Sequence, residues 1–145
     1  MPNNPEKIKV LVVEDNPDDV MIIKRAMRKS GAHCELYFAH DGEEALKFLY
    51  HEDEFADAPR PDLILLDWRL PLMSGQEVLE KIKNDDHLRR IPVIVLTVST
   101  SQEDMVKAYD SGAASYMNKP VDSKDFERLI QTVQDYWRIA KIPPE

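Results

Sequence analysis

Cysteine is almost absent from this chain of 145 residues: Cys34 stands alone. No internal disulfide can form, and a reducing, cytoplasmic setting is the simplest expectation. Cys34 lies in an apolar, strand-like stretch and reads as a packed thiol rather than a redox centre. No apolar run approaches the ~20 residues of a membrane span. Residues 1–7 lack the apolar core of a signal peptide and read as a loose lead-in. Positive charge is also in deficit, with 19 Lys and Arg against 27 Asp and Glu and a net charge of −8. That balance argues against a general nucleic-acid binder, which needs a basic face to neutralise phosphates, and against docking on anionic lipid.

What remains is the material of one globular domain. Hydrophobic residues make up 43% and charged residues 32%, so the chain is not disordered. Its length suits a single domain over 1–145, with a tail over 141–145 and no output domain.

The chain alternates between two periodicities. The β-branched run 8–13 predicts a first strand, closed by Glu14-Asp15-Asn16-Pro17. Asn16 is suited to cap a helix, and Pro17 to its first position. That helix extends to about Ser30, with Asp18 and Asp19 at the positive end of its dipole. Residues 34–39 alternate as an edge strand would. Asp41 caps a second helix that fades near His51, and Glu44 completes a capping box-like pair. Residues 51–61 read as a long acidic surface loop. Leu63-Ile64-Leu65-Leu66 is a strand buried on both faces that runs straight into Asp67. A third helix spans Gly75 to about Asp85. Pro92 opens a fourth strand, 93–96, and a fourth helix runs from about Ser101 to Gly112. Residues 113–117 make a short fifth strand. A fifth helix starts at Asp122 or Ser123 and carries the apolar stripe of Phe126, Leu129, Ile130, Val133, Trp137 and Ala140.

Five strands alternating with five helices predict a parallel sheet covered on both sides. Right-handed crossovers then favour a flavodoxin-like doubly wound (βα)5 α/β fold in order 2-1-3-4-5. In such a sheet all carboxyl ends share one edge. Glu14 and Asp15, Asp67, Thr97 and Lys119 each close a strand, so they converge on one crevice whatever its use. Taken singly, each is ordinary cap or turn chemistry, and only their conjunction is informative. Three clustered carboxylates repel one another, and a hard divalent cation such as Mg²⁺ would relieve this while leaving room for phosphate oxygens. Lys119 offers a cation, Thr97 a hydroxyl, and Asp67 a nucleophilic carboxylate able to form an aspartyl phosphate.

These residues resemble the receiver domain of two-component response regulators. The likeness covers roughly residues 8–140 and rests on Val13-Glu14-Asp15-Asn16, Leu65-Leu66-Asp67 with Pro71 and Gly75, Leu96-Thr97, and Tyr116-Met117-Asn118-Lys119-Pro120. It implies that Asp67 accepts phosphate from a histidine kinase and that Glu14, Asp15, Asp67 and the Arg69 carbonyl serve the metal. It implies that Thr97 and Lys119 meet the phosphoryl oxygens and that Thr97 and Tyr116 switch together. It also implies a cis bond before Pro120. Such a protein is a phosphoacceptor rather than a turnover enzyme.

Two positions depart from the family pattern. Arg69 is cationic and could pair with a phosphoryl oxygen or with Glu14. Val98 is larger than the small residue often found there and is expected to narrow access to Asp67. More narrowly, the loop before residue 61 and the tail with Tyr136-Trp137 and Ile142-Pro143 resemble stand-alone regulators paired with phytochrome kinases. Such proteins are often homodimers through the fourth helix, fifth strand and fifth helix, where Trp137 and Ile139 would supply an apolar patch.

Other readings fit the residues less well. A haloacid dehalogenase-type phosphatase needs a second acid two residues past the nucleophile, where Arg69 stands. A flavodoxin-like cofactor carrier needs a Ser-, Thr- and Gly-rich loop after the first strand, where the chain has Glu14-Asp15-Asn16-Pro17-Asp18-Asp19. A pseudo-receiver would lack some of the site residues, and the principal ones are all present.

Overall fold

The computed structural model describes residues 7–30, 34–98, 101–120 and 122–139, with the side chains of residues 30, 123 and 137–139 excepted. The expected apolar patch of Trp137 and Ile139 lies outside these described side chains. The strands are β1 (Ile8–Val13), β2 (Cys34–Ala39), β3 (Leu63–Asp67), β4 (Val93–Thr97) and β5 (Ser115–Asn118). They alternate with helices α1 (Pro17–Ser30), α2 (Gly42–Leu49), α3 (Gly75–Lys83), α4 (Gln102–Asp110) and α5 (Ser123–Ile139). All pairings are parallel and the order is β2-β1-β3-β4-β5, as the alternation requires.

β3 sits at the centre and is buried along its whole length. Its side chains alternate between two cores. Ile64 and Leu66 join Leu11, Val13, Val78, Leu79 and Ile82 on one face. Leu63 and Leu65 join Val10, Val12, Ile23, Ala26, Phe126 and Ile130 on the other. A two-sided core of this kind fixes the register, because a slip of one residue would exchange the faces. Registered pairs Val13↔Leu66 and Asp67↔Leu96 then bring the strand ends into line at one edge.

The helix starts follow their caps. Asp41 accepts from the Glu44 N–H at 2.8 Å, Ser74 from Glu77 and Ser101 from Asp104, both at 3.2 Å. Asn16 Oδ1 accepts from the Asp18 N–H at 2.9 Å. The ends depart from expectation. α3 stops at Lys83, because Asp85 folds its own turn by accepting from the His87 and Leu88 N–H groups. β5 begins two residues late. Gly112, at φ 107°, ends α4 in a motif in which Gly112 N–H donates to Tyr109 O and Ala113 N–H to Ala108 O. That cap consumes Ala113, and the Ala114 N–H then donates to Val93 O at 2.9 Å as the chain enters the sheet. α2 closes by the same bonding, with His51 in the left-handed position at φ 59°. The loop after it holds a 3₁₀ turn, Asp53–Phe55, anchored by the Phe55 ring 5.5 Å from that of Phe48.

Candidate functional site

The carboxyl edge of the sheet gathers two of the expected carboxylates, Glu14 and Asp67, and a third, Asp19, around the Lys119 ammonium. Lys119 Nζ lies 2.7 Å from Glu14 Oε1, 3.0 Å from Asp19 Oδ2 and 3.1 Å from Asp67 Oδ2. Adjacent strand ends make this possible: β1 delivers Glu14, β3 delivers Asp67, and β5 delivers Lys119 across the buried end of β4. Thr97, the last residue of β4, is wholly inaccessible. Its carbonyl accepts the Lys119 N–H at 2.8 Å, which seats the lysine backbone at the floor of the site. The bond before Pro120 was expected to be cis. It is trans, with no cis peptide bond among the described residues. The Thr97 bond and the reach of the lysine stem bring Nζ to the carboxylates without isomerisation, and trans is the favoured state of an X-Pro bond by about 0.5–1 kcal/mol.

Glu14 and Asp67 are buried charges of the same sign, an arrangement that is unfavourable unless compensated. Lys119 compensates both. Burial pushes the Glu14 carboxyl up to about 7, against the opposing pull of its Lys119 and Asn16 hydrogen bonds. Burial works the other way on Lys119, toward loss of its proton, but the bonds to Glu14 and Asp19 and the charge of Asp67 outweigh it and hold the ammonium protonated. Asp15 is exposed, and one oxygen from each of Glu14, Asp15 and Asp67 lies within 4.8 Å of the others. An all-oxygen acidic donor set of this kind fits a hard divalent cation. Glu14, Asp15 and Asp67 would hold it, and it would supply charge neutralisation for an incoming phosphoryl group.

Asp19 belongs to the site although its sequence position suggested only a dipole partner. The signal was available: three residues link β1 to α1, so the first turn of α1 must stand over the same edge. Arg69 stands two residues past Asp67. Its guanidinium bonds Asp104 Oδ2 at 2.9 Å rather than Glu14, because Lys119 already occupies Glu14 and α4 starts within reach of the acceptor loop. Its backbone N–H donates to Asp67 Oδ1 at 3.0 Å. Val98 is 73% exposed. Tyr116 is half-buried against the core, and its N–H donates to Tyr109 Oη at 3.2 Å. Past Asp67 the chain turns sharply. Met73 N–H donates to Pro71 O at 2.7 Å around Leu72, which takes φ 68°. Gly75 then packs against the acceptor's own backbone, where an added Cβ would fall 2.7 Å from Asp67 O.

A doubly wound parallel sheet with a polar crevice at its carboxyl edge is the arrangement in which open α/β proteins bind their ligands. Comparison with known proteins is more specific: residues 10–133 match the model of the response regulator receiver domain, and the chain belongs to that family. It is 37% identical to response regulator Rcp1 of Synechocystis sp. over 135 residues, covering 93% of this chain and 91% of that one. The fold superposes on the phosphorylated cyanobacterial phytochrome response regulator RcpA with a TM-score of 0.85, at 38% identity over 94% of this chain and 99% of that one. It also superposes on the Mn²⁺-bound form of Rcp1, with a TM-score of 0.82 at 35% identity over 94% and 99%. Among the described residues no helix is long and apolar enough to cross a membrane.

Proposed function

We propose that the chain is a stand-alone cytoplasmic response regulator. It takes a phosphoryl group onto Asp67 from a histidine kinase, in a Mg²⁺-dependent reaction, and signals through a protein-interaction surface. The observation that carries this reading is the Lys119 ammonium held between the buried Glu14 and Asp67 carboxylates. In that arrangement Asp67 Oδ is the nucleophile; Glu14, Asp15, Asp67 and the Arg69 carbonyl would hold the metal, which would supply positive charge. Lys119 stays bonded to Asp67 and is placed to meet a phosphoryl oxygen. Thr97, at the end of the neighbouring strand, donates its hydroxyl to another, and its movement draws Tyr116 inward. The chain promotes only its own phosphorylation and slow dephosphorylation.

The phosphorylated and Mn²⁺-bound states of its relatives support the acceptor and metal assignments. The similarity to phytochrome response regulators supports a phytochrome-type kinase as donor. Exposed Met105, Val106 and Tyr109 on α4 and Tyr136 on α5 support a homodimer through α4, β5 and α5.

Incubation with acetyl phosphate and Mg²⁺ tests the central step. An acid-stable, base-labile phosphate forms on the wild type and is lost in Asp67→Asn. No adduct from acetyl phosphate or from a histidine kinase, together with no binding of beryllofluoride and Mg²⁺, overturns the reading.

A further inference from the structure

Arg69 links two parts of the molecule through opposite ends of one residue. Its backbone N–H is bonded to the acceptor carboxylate, while its guanidinium lies on Asp104, 2.9 Å away in the first turn of α4. Asp104 is fixed there in part by its own N–H, which donates to Ser101 Oγ. α4 itself is lightly anchored. Ala108 is its one buried residue, and Met105, Val106 and Tyr109 stand exposed. The Arg69–Asp104 pair is therefore a strap from the acceptor loop to a helix with little core of its own.

We propose that Asp104 is a positioning residue for the phosphorylation site. It holds the Arg69 guanidinium at α4 while Asp67 is unmodified and yields it when Asp67 carries a phosphoryl group, so that the acceptor's state and the anchoring of α4 are linked. This rests on Asp67 being the acceptor. A phosphoryl group brings roughly two negative charges and three acceptor oxygens, against the single charge of Asp104. A guanidinium matches such oxygens with two parallel bonds. The Arg69 side chain is 64% exposed and that of Asp104 18%, so their bond is screened and weak enough to surrender. By reciprocity, whatever Asp104 contributes to holding Arg69 is subtracted from anion binding at Asp67.

Beryllofluoride with Mg²⁺ is the probe, with affinity read by calorimetry and α4 by amide hydrogen exchange. Asp104→Asn binds the probe about two- to fivefold more tightly than wild type, the range a partly exposed ion pair supports. Asp104→Glu restores the wild-type affinity. In an Arg69→Gln background Asp104→Asn changes nothing. The α4 amides of the wild type lose protection when the probe binds, and those of Asp104→Asn are fast without it. Removal of one nearby negative charge acting through space would matter equally with and without Arg69. An equal effect in both backgrounds, or no effect in either, therefore overturns the proposal. A wild type that does not bind the probe at all removes the acceptor reading, and this inference with it.

Discussion

Lys119→Met removes one ammonium and keeps most of the stem that fills the site. The lysine side chain is 9% exposed, and those of Glu14 and Asp67 are 4% and 7%, so the ion pairs lie largely out of water. Taking one partner from a buried pair costs about 3–5 kcal/mol, because the charge left behind remains desolvated. Asp19, at 20%, can rehydrate and adds little. Glu14 can escape by taking a proton, and this fixes the pH dependence. Burial raises its folded pKa above the unfolded value, so its neutral form favours the folded state below the unfolded pKa. That advantage is lost as pH rises through about 7. Removing Lys119 deletes a bond that draws this pKa down, so the variant's deficit is largest above neutrality and shrinks toward acid. At about 2–4 °C per kcal/mol for a chain of this size, the melting temperature above neutrality falls by on the order of 10 °C. Urea titrations of both proteins in chelator, above and below neutrality, measure the effect. Adding Mg²⁺ to the variant recovers part of the loss, since a cation bound only by the folded state stabilises it. An unchanged midpoint above neutrality, or a deficit that widens toward acid, refutes the reasoning.

Gly75→Ala puts a methyl group 2.7 Å from Asp67 O and Trp68 Cα, and backbone cannot step aside as a side chain can. A loss of about 1–3 kcal/mol in urea unfolding is expected, with weaker beryllofluoride binding because the acceptor loop itself must shift. His51→Gly does the opposite. The left-handed cap at φ 59° strains any residue with a Cβ, so glycine raises stability by about 1 kcal/mol in the same assay. Cys34 is buried, and burial pushes its thiol pKa up, so the reactive thiolate is scarce in the folded protein. An aromatic disulfide reagent at neutral pH modifies it only slowly until urea unfolds the chain. Rapid native-state labelling would contradict that burial.

Most of the fold was legible because its signals are local. Leu63-Ile64-Leu65-Leu66 needs two apolar faces, and Asp41, Ser74 and Ser101 each mark a helix start by bonding an N–H three residues on. The site was legible to the same degree, because a parallel sheet carries every strand end to one edge and the chain places its acids and lysine there. What the sequence hid depends on where one element lies against another. Asp19 becomes a ligand of Lys119 only because the β1–α1 turn is short. Phe55 orders an otherwise polar loop only because Phe48 presents a ring to it. Arg69 shows the distinction most sharply. Its backbone role follows from its place two residues after Asp67, whereas its side chain's partner is 35 residues away on α4. Spacing along the chain says nothing of that distance in space. The crevice was therefore readable as chemistry before it was known as geometry. That the Arg69 guanidinium is held from α4, by Asp104, rather than from within the site required seeing the fold.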